Sequence, residues 1–412
     1  MVTSLNPVAP SSRHEIVDIV RGFALLGVLV ANLVYTAQWF ATPEEVLAAL
    51  PTAALNEIVD LFLVVFVDFK FLTLFSMLFG LGLALQIRRA QARGQAFAPT
   101  FLRRMILLWI IGVAHSTLIW SGDILQYYAM VGVVLLLLSR LSIRTIVVTA
   151  IVLGVLCSLL PVLSWVLHAV APEVDSIPEA AGDINPKYLV ITEGSYLDII
   201  RMNVAITLND YASVVTDVAN SSLYWFLVPL WKAMLGYAIG ATGLHERSDD
   251  LLRLAKRWLP WTLVLGLAGS LIPAIALIGW GLWLTEGGLV ARLLWVLVEF
   301  AAVLLAIAYA CVLVILWNRG GVARVLGLLA PVGRMALTNY IMQSVLFILV
   351  LYGIGLGLVG EIGATGCVIV SLVIFAAQAA LSGWWLTVFR FGPLEWAWRS
   401  MTYWKLQPMR RT

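Results

Sequence analysis

Charge is the scarcest feature of this 412-residue sequence: Asp, Glu, Lys and Arg together make up 12%. A soluble domain carries about twice that share. With 62% hydrophobic residues, the deficit excludes a chain that lives wholly in water. Cysteine is also rare. Cys157, Cys311 and Cys367 share no CxxC or metal-ligand spacing, and each lies in an apolar run, so they read as small packing residues. The four histidines, His14, His115, His168 and His245, form no HxxxH pair, and no metal site is expected. There is no glycine-rich phosphate loop, no convincing repeat and no second soluble domain. A net charge of +3 offers no argument for nucleic acid, and none is expected as a partner. The first apolar run, from about Ile16 to Phe40, is too long for a signal-peptide core and lacks a small-residue cleavage site, so it is expected to stay as an anchor.

What the sequence has in abundance is long apolar runs. A bilayer-spanning helix needs about 20 mostly apolar residues whose backbone bonds are satisfied internally. Such runs recur at 17–38, 69–87, 104–121, 124–139, 145–168, 223–243, 259–282, 292–316, 336–356 and 365–389. The fourth is short and tightly joined to the third, which leaves a re-entrant pair open. Segment 55–67 reads as a short helix at the membrane surface. The expected fold is all-α: a polytopic membrane bundle of about ten helices in one domain, 1–412. All of the 26 basic residues except Lys70, Lys187, Arg201, Lys232 and Arg292 fall at one set of span ends. By the positive-inside rule that gives both termini on the inner side. The longest outer connection, 169–222, is acidic, with Glu173, Asp175, Glu179, Asp183, Glu193, Asp198, Asp210 and Asp217. Its segment 196–208 has helical periodicity, suited to lying on the membrane or capping a cavity. The stretch 391–405 mixes Trp, Tyr, Arg and Lys and reads as an interfacial helix on the inner side.

Ionisable residues inside a bilayer are rare and usually functional. Asp18, Arg21, Leu25, Val28 and Asn32 share one face of the first span. Asp68 and Lys70 stand near the outer end of the second, and Lys232 and Glu299 in the outer halves of the sixth and eighth. Arg334, Asn339, Tyr340 and Gln343 make the ninth span polar. The stretch "GVAHSTLIWSGDILQYYAM" places His115 near the end of the third span and Asp123 at the following turn. Eight residues of straight helix would separate them by about 12 Å, and Gly122 allows the chain to turn. A carboxylate that fixes the tautomer of a buried imidazole makes a general base. An interhelical hydrogen bond with a helix-capping Asp remains the structural alternative.

Five segments, in order, resemble the YeiB family of bacterial membrane proteins: "EIVDIVRGFALLGVLVAN", "FKFLTLFSMLFGLG", "RRMILLWIIGVAHSTLIWSGDILQYYAMVG", "VGRMALTNYIMQSVL" and "FGPLEWAWRSMTYW". Together they span about residues 13–405. The opening D-x-x-RG, Asp18 and Arg21 here, is similar to that of the lysosomal heparan-glucosaminide acetyltransferases and the acyltransferase-three family. The resemblance implies a transmembrane acyltransferase in the bacterial cytoplasmic membrane. It would move an acyl group, acetyl foremost, from cytosolic acyl-CoA to a hydroxyl or amine acceptor, such as a carbohydrate, on the far side. Acyl-CoA (acetyl-CoA) is then the donor substrate, with no metal, and membrane lipids are partners. Pairing into a homodimer is left open. Arg88, Arg89, Arg103, Arg104 or Arg334 would hold the donor phosphates, with Arg21 and Asn339 also contacting the donor. His115 and Asp123 would form the base, and Asn32 or Asn339 the oxyanion donor. The lysosomal enzymes are thought to use a histidine just before their second span. This chain has none between His14 and His115, so His115 is the available substitute. The rival reading is a transporter or permease for an amphipathic solute or lipid, with Lys232 and Glu299 at its translocation site.

Overall fold

The computed structural model describes residues 15–40, 42–94, 96–170, 185–213, 222–243, 248–279 and 288–411. Glu173, Asp175, Glu179, Asp183 and Asp217 lie outside the described residues, as do Arg13, His14, His245 and Arg247. Seventeen α-helices account for almost everything described: α1 (Glu15–Val34), α2 (Glu44–Ala48), α3 (Ala53–Phe66), α4 (Lys70–Ala92), α5 (Ala98–Leu118), α6 (Leu125–Leu138), α7 (Ile143–Val170), α8 (Pro186–Glu193) and α9 (Tyr196–Ala212), followed by α10 (Ser222–Ala241), α11 (Ser248–Gly279), α12 (Gly288–Trp317), α13 (Gly320–Leu326), α14 (Leu329–Arg334), α15 (Ala336–Leu351), α16 (Ala364–Val388) and α17 (Pro393–Tyr403). A single π-helical turn, Tyr35–Trp39, extends α1. Among the described residues there is no strand, only an isolated bridge between Phe389 and Arg410.

Each of the ten apolar runs falls on a helix. Among the described residues, six helices are long and apolar enough to cross a membrane by length and composition, within α1, α5, α7, α11, α12 and α16. Two further apolar helices, α6 and α15, are shorter. The surfaces agree with that reading. Ile106 and Ile110 on α5, Val152 and Leu156 on α7, Val264 on α11 and Val373 on α16 all stand exposed. A soluble protein rarely leaves apolar patches of that extent bare, so hydrocarbon is the partner that covers them. The chain is a multi-pass membrane protein.

Helix α1 is the hub. Ile19, Ala24, Leu25, Leu29 and Leu33 are fully buried, and the helix packs against α4, α14, α15 and α16. A helix that is apolar almost all round belongs inside a bundle. The beginnings of α1 and α5, the end of α4, and α14 and α17 gather at one arginine-rich end. At the other end lie α8, α9 and the turn between α5 and α6. There Gly353 N–H donates to the Ile191 carbonyl at 2.8 Å, docking α8 against the loop after α15.

The surface helix expected at 55–67 is α3. It exposes Leu55, Ile58 and Phe62 along one side. The chain then reverses at Phe69, whose left-handed backbone (φ 62°) is unusual for an aromatic residue. The Phe69 ring packs edge-on against Trp295, 5.2 Å between centroids.

Candidate functional site

Helices α5 and α6 make a hairpin whose turn carries the His–Asp pair. The last turn of α5 ends at Leu118, and Ile119 and Trp120 both donate N–H bonds to the His115 carbonyl. The chain then crosses back, and α6 begins at Leu125. Gly112 makes the approach of the two helices possible, because a Cβ there would lie 2.4 Å from the Gln126 nitrogen. Gly122 serves differently from expectation. It shows no left-handed φ; its hydrogen leaves room for the Trp120 indole, which would lie 2.4 Å from an added Cβ.

The turn closes the 12 Å gap that a straight helix would leave. His115 Nδ1 and Asp123 Oδ1 are 2.8 Å apart, with both side chains almost wholly excluded from solvent. The second carboxylate oxygen of Asp123 accepts the Gln126 N–H at 3.0 Å. One carboxylate thus caps α6 and anchors the imidazole. Its oxygen is an acceptor, so the ring proton belongs on Nδ1 and the lone pair on Nε2. That Nε2 is buried and has no hydrogen-bond partner. The geometry therefore combines both readings of the sequence, a capping Asp and an oriented imidazole.

Beside the pair is a cavity of about 390 Å³. It begins at the arginine-rich end, where Arg21, Arg89, Arg93, Arg104, Arg334 and Arg399 line it. Two carboxylates share that mouth, and both are engaged. Asp18 holds Arg21 at 2.8 Å. Glu395 accepts the Leu337 N–H at 2.7 Å, the Thr338 N–H at 3.0 Å and the Thr338 hydroxyl at 2.6 Å. Those contacts satisfy the free N–H groups at the start of α15 and place an anion at its positive end. Burial nevertheless pushes the Glu395 carboxyl above its ordinary value. Burial also lowers Arg334 and Arg399, which Asp18 opposes at Arg334. The Nε of each of these two arginines is buried without a partner. Desolvated guanidinium Nε–H donors without a hydrogen-bond partner favour an anion in the mouth.

Deeper in, the walls turn apolar. Leu72, Phe75, Phe79, Leu108, Ile124 and Leu125 line the far part, with Tyr128 and Tyr340 among them. Tyr128 is fully buried, and its hydroxyl is 2.7 Å from Ser76. The Tyr340 ring lies 5.3 Å from the His115 ring, centroid to centroid. His115 does not itself line the cavity; it stands directly behind Tyr340 and Ile124. On its other side α9 lies across the hairpin turn. Tyr196 donates to the Leu118 carbonyl at 2.7 Å, Asn203 to Ile119 at 3.2 Å and Tyr211 to the Gln126 side chain at 2.7 Å. The periodic segment 196–208 is thus a cap over the α5–α6 turn.

The other candidate residues divide. Arg21, Arg89, Arg104 and Arg334 meet at the cavity mouth. Arg104 also donates to Gln86 at 2.9 Å and stacks on Trp398, 4.2 Å from the ring centre. Arg88 and Arg103 do not line the cavity. Arg88 reaches the Gly240 carbonyl at 3.5 Å, and Arg103 donates to Thr402 at 3.0 Å. Asn339 is fully buried between α14, α15 and α16, donating to the Val332 carbonyl at 3.2 Å and to Ser382 at 3.0 Å. Asn32 does not line the cavity either; its carbonyl accepts the Thr36 hydroxyl. Sequence reasoning placed Arg93 and Arg399 among the orienting charges and missed them as cavity residues. The Trp398–Arg399 pair within an amphipathic segment was the signal that could have found Arg399.

A second polar cluster is separate. Lys232 Nζ and Glu299 Oε2 are 2.9 Å apart with side chains 0% and 1% exposed. Tyr224 donates to Glu299 at 3.3 Å, and Lys70, whose ammonium donates to the Val64 carbonyl at 2.5 Å, is also near. Asp68 stands close to Lys70.

Comparison with known proteins places this architecture among bacterial relatives. A family model described as a protein of unknown function (DUF418) matches residues 239–405. The uncharacterized protein YxaH of Bacillus subtilis is 31% identical over 99% of this chain and 98% of its own length. The uncharacterized protein YeiB of Escherichia coli is 29% identical over 95% of this chain and 96% of its own. An uncharacterized 39.9 kDa protein from the amylase 3' region of Bacillus acidopullulyticus is 28% identical over 97% of this chain and 96% of its own.

Proposed function

We propose, from the premise that this chain belongs to the YeiB-like family of bacterial membrane proteins, that it is an acyl-CoA-dependent transmembrane acyltransferase. In this reading about ten helices span the cytoplasmic membrane, with both termini and the arginine-rich end in the cytosol. The observation that carries the proposal is one continuous cavity, charged at one end and apolar at the other, that stops against the ring covering an oriented histidine. A CoA thioester has that same polarity: a polyphosphate head, a flexible arm and an apolar acyl terminus. The arginines would take the phosphates as charge-assisted donors. Phe75, Phe79 and Leu108 would surround the arm and the acyl group.

Asp123 holds the imidazole so that Nε2 is free to take a proton. An acceptor hydroxyl or amine, such as that of a carbohydrate, would approach His115 from the capped end. With α9 in its present place that route is closed, so the proposal requires α9 to lift. Both surfaces would then meet at the Tyr340–His115 contact, the thinnest partition between the two ends.

The test is binding and turnover of acetyl-CoA by the purified protein, with water as acceptor. Saturable binding is expected in both wild type and His115→Ala, and thioester cleavage only in wild type. Absence of CoA binding would sink the reading, and equal turnover in the two proteins would remove His115 from it. Solute uptake by proteoliposomes without acyl-CoA would favour the transporter instead.

A further inference from the structure

Tyr340 is 5% exposed and lines the deep end of the cavity. Its hydroxyl oxygen is buried beside the Ile124 backbone N–H, and its proton has no acceptor within hydrogen-bond distance. Three other tyrosines differ: the half-buried Tyr309 donates to the Phe66 carbonyl at 2.7 Å, Tyr224 donates to Glu299, and Tyr128 pairs with Ser76. Packing alone would be served equally well by phenylalanine, without the cost of a stranded donor. The Tyr340 ring adjoins that of His115, whose Nε2 is also unpartnered, with 5.3 Å between centroids. Helix α6 also begins at this end, at Leu125, so its positive pole lies there.

We propose that Tyr340 is a further catalytic residue, donating its hydroxyl hydrogen bond to the carbonyl oxygen of the donor thioester. This rests on the acyltransferase reading. The two asparagines considered from sequence for this role are placed elsewhere. The amide of Asn339 is spent on Val332 and Ser382, and Asn32 is not on the cavity wall.

The step balances as follows. With the Tyr340 ring rotated out of the partition so that the cavity and His115 face each other, the acceptor oxygen forms a bond to the thioester carbon while its proton passes to Nε2 of His115. The carbonyl π-electrons move onto oxygen, and the resulting oxyanion shortens its bond to the Tyr340 hydroxyl. Collapse restores the carbonyl and breaks the carbon–sulfur bond. The departing thiolate takes the proton from the imidazolium, giving an ester and free CoA thiol, with no oxidant, reductant or net proton required.

The experiment is Tyr340→Phe, which keeps the ring against His115 and deletes only the hydroxyl. Turnover of acetyl-CoA should fall about 10²–10³-fold, with unchanged CoA affinity. The carbonyl stretch of bound, carbon-13-labelled acetyl-CoA should lie at lower frequency in wild type than in the variant. Wild-type turnover in Tyr340→Phe, or identical carbonyl frequencies, would overturn the role of Tyr340 while leaving the acyltransferase reading intact. If wild type neither binds CoA nor cleaves the thioester, both fall together.

Discussion

Replacing Lys232 by methionine leaves Glu299 as a buried carboxylate without its countercharge. The pair is 2.9 Å apart, and both side chains are inaccessible. Coulomb's law at an effective dielectric of about 20 gives about 6 kcal/mol of attraction at that distance. Removing each ion from water costs several kcal/mol, so the intact pair contributes little net stability. Breaking it is another matter, because one desolvation cost remains with nothing to offset it. Lys232→Met is therefore expected to destabilise by about 3–5 kcal/mol. Lys70 softens this, since it lies within Coulomb range of Glu299, and places the expectation at the lower end. The double variant Lys232→Met/Glu299→Gln removes both charges and keeps an oxygen for the Tyr224 hydroxyl. It should regain most of the loss. The assay is unfolding in mixed micelles by titration with SDS, followed through tryptophan fluorescence, for wild type, both singles and the double. A double variant no more stable than Lys232→Met, or a Lys232→Met as stable as wild type, would refute the account of this pair as a mutually dependent scaffold.

Three further outcomes test the site. Asp123→Asn keeps an oxygen for the Gln126 N–H but no longer selects the imidazole tautomer; thioester turnover should drop about 10²–10⁴-fold with CoA binding retained. Arg334→Gln and Arg399→Gln should each weaken CoA binding about tenfold or more, as loss of a charge-assisted hydrogen bond implies, and flatten the dependence of affinity on salt in a titration series. A cysteine pair at Ile119 and Asn203, whose backbone and side chain already touch at 3.2 Å, should tie α9 down when oxidised. Transfer to an outer acceptor should then stop and return on reduction, while CoA binding stays constant throughout; unaltered transfer in the oxidised protein would show that α9 need not move.

The helices were legible because hydropathy is a property of long runs. Every expected span lies on a helix, and the 3.6-residue rhythm at 196–208 led to a capping helix. The His115–Asp123 contact was legible for a different reason: eight residues and a turn leave few ways to arrange two side chains. The mouth was not. Arginines at one set of span ends look alike under the positive-inside rule, and only packing separates Arg334 at the cavity from Arg103 on Thr402. The setting of Asn339 was not legible either. A polar residue inside an apolar helix signals a partner, but sequence does not say whether that partner is a ligand or, as here, Ser382 of the next helix. The Lys232–Glu299 pairing needed α10 and α12 to be neighbours, which no local pattern states.

The imidazole–carboxylate contact closes within a single hairpin, whereas the arginine mouth draws on α1, α4, α5, α14 and α17. Contacts of short sequence separation form early. On the ribosome, then, the His115–Asp123 contact can close once α6 has emerged, whereas the arginine mouth waits for α17. A growing chain therefore holds an oriented imidazole well before the arginine mouth exists to face it.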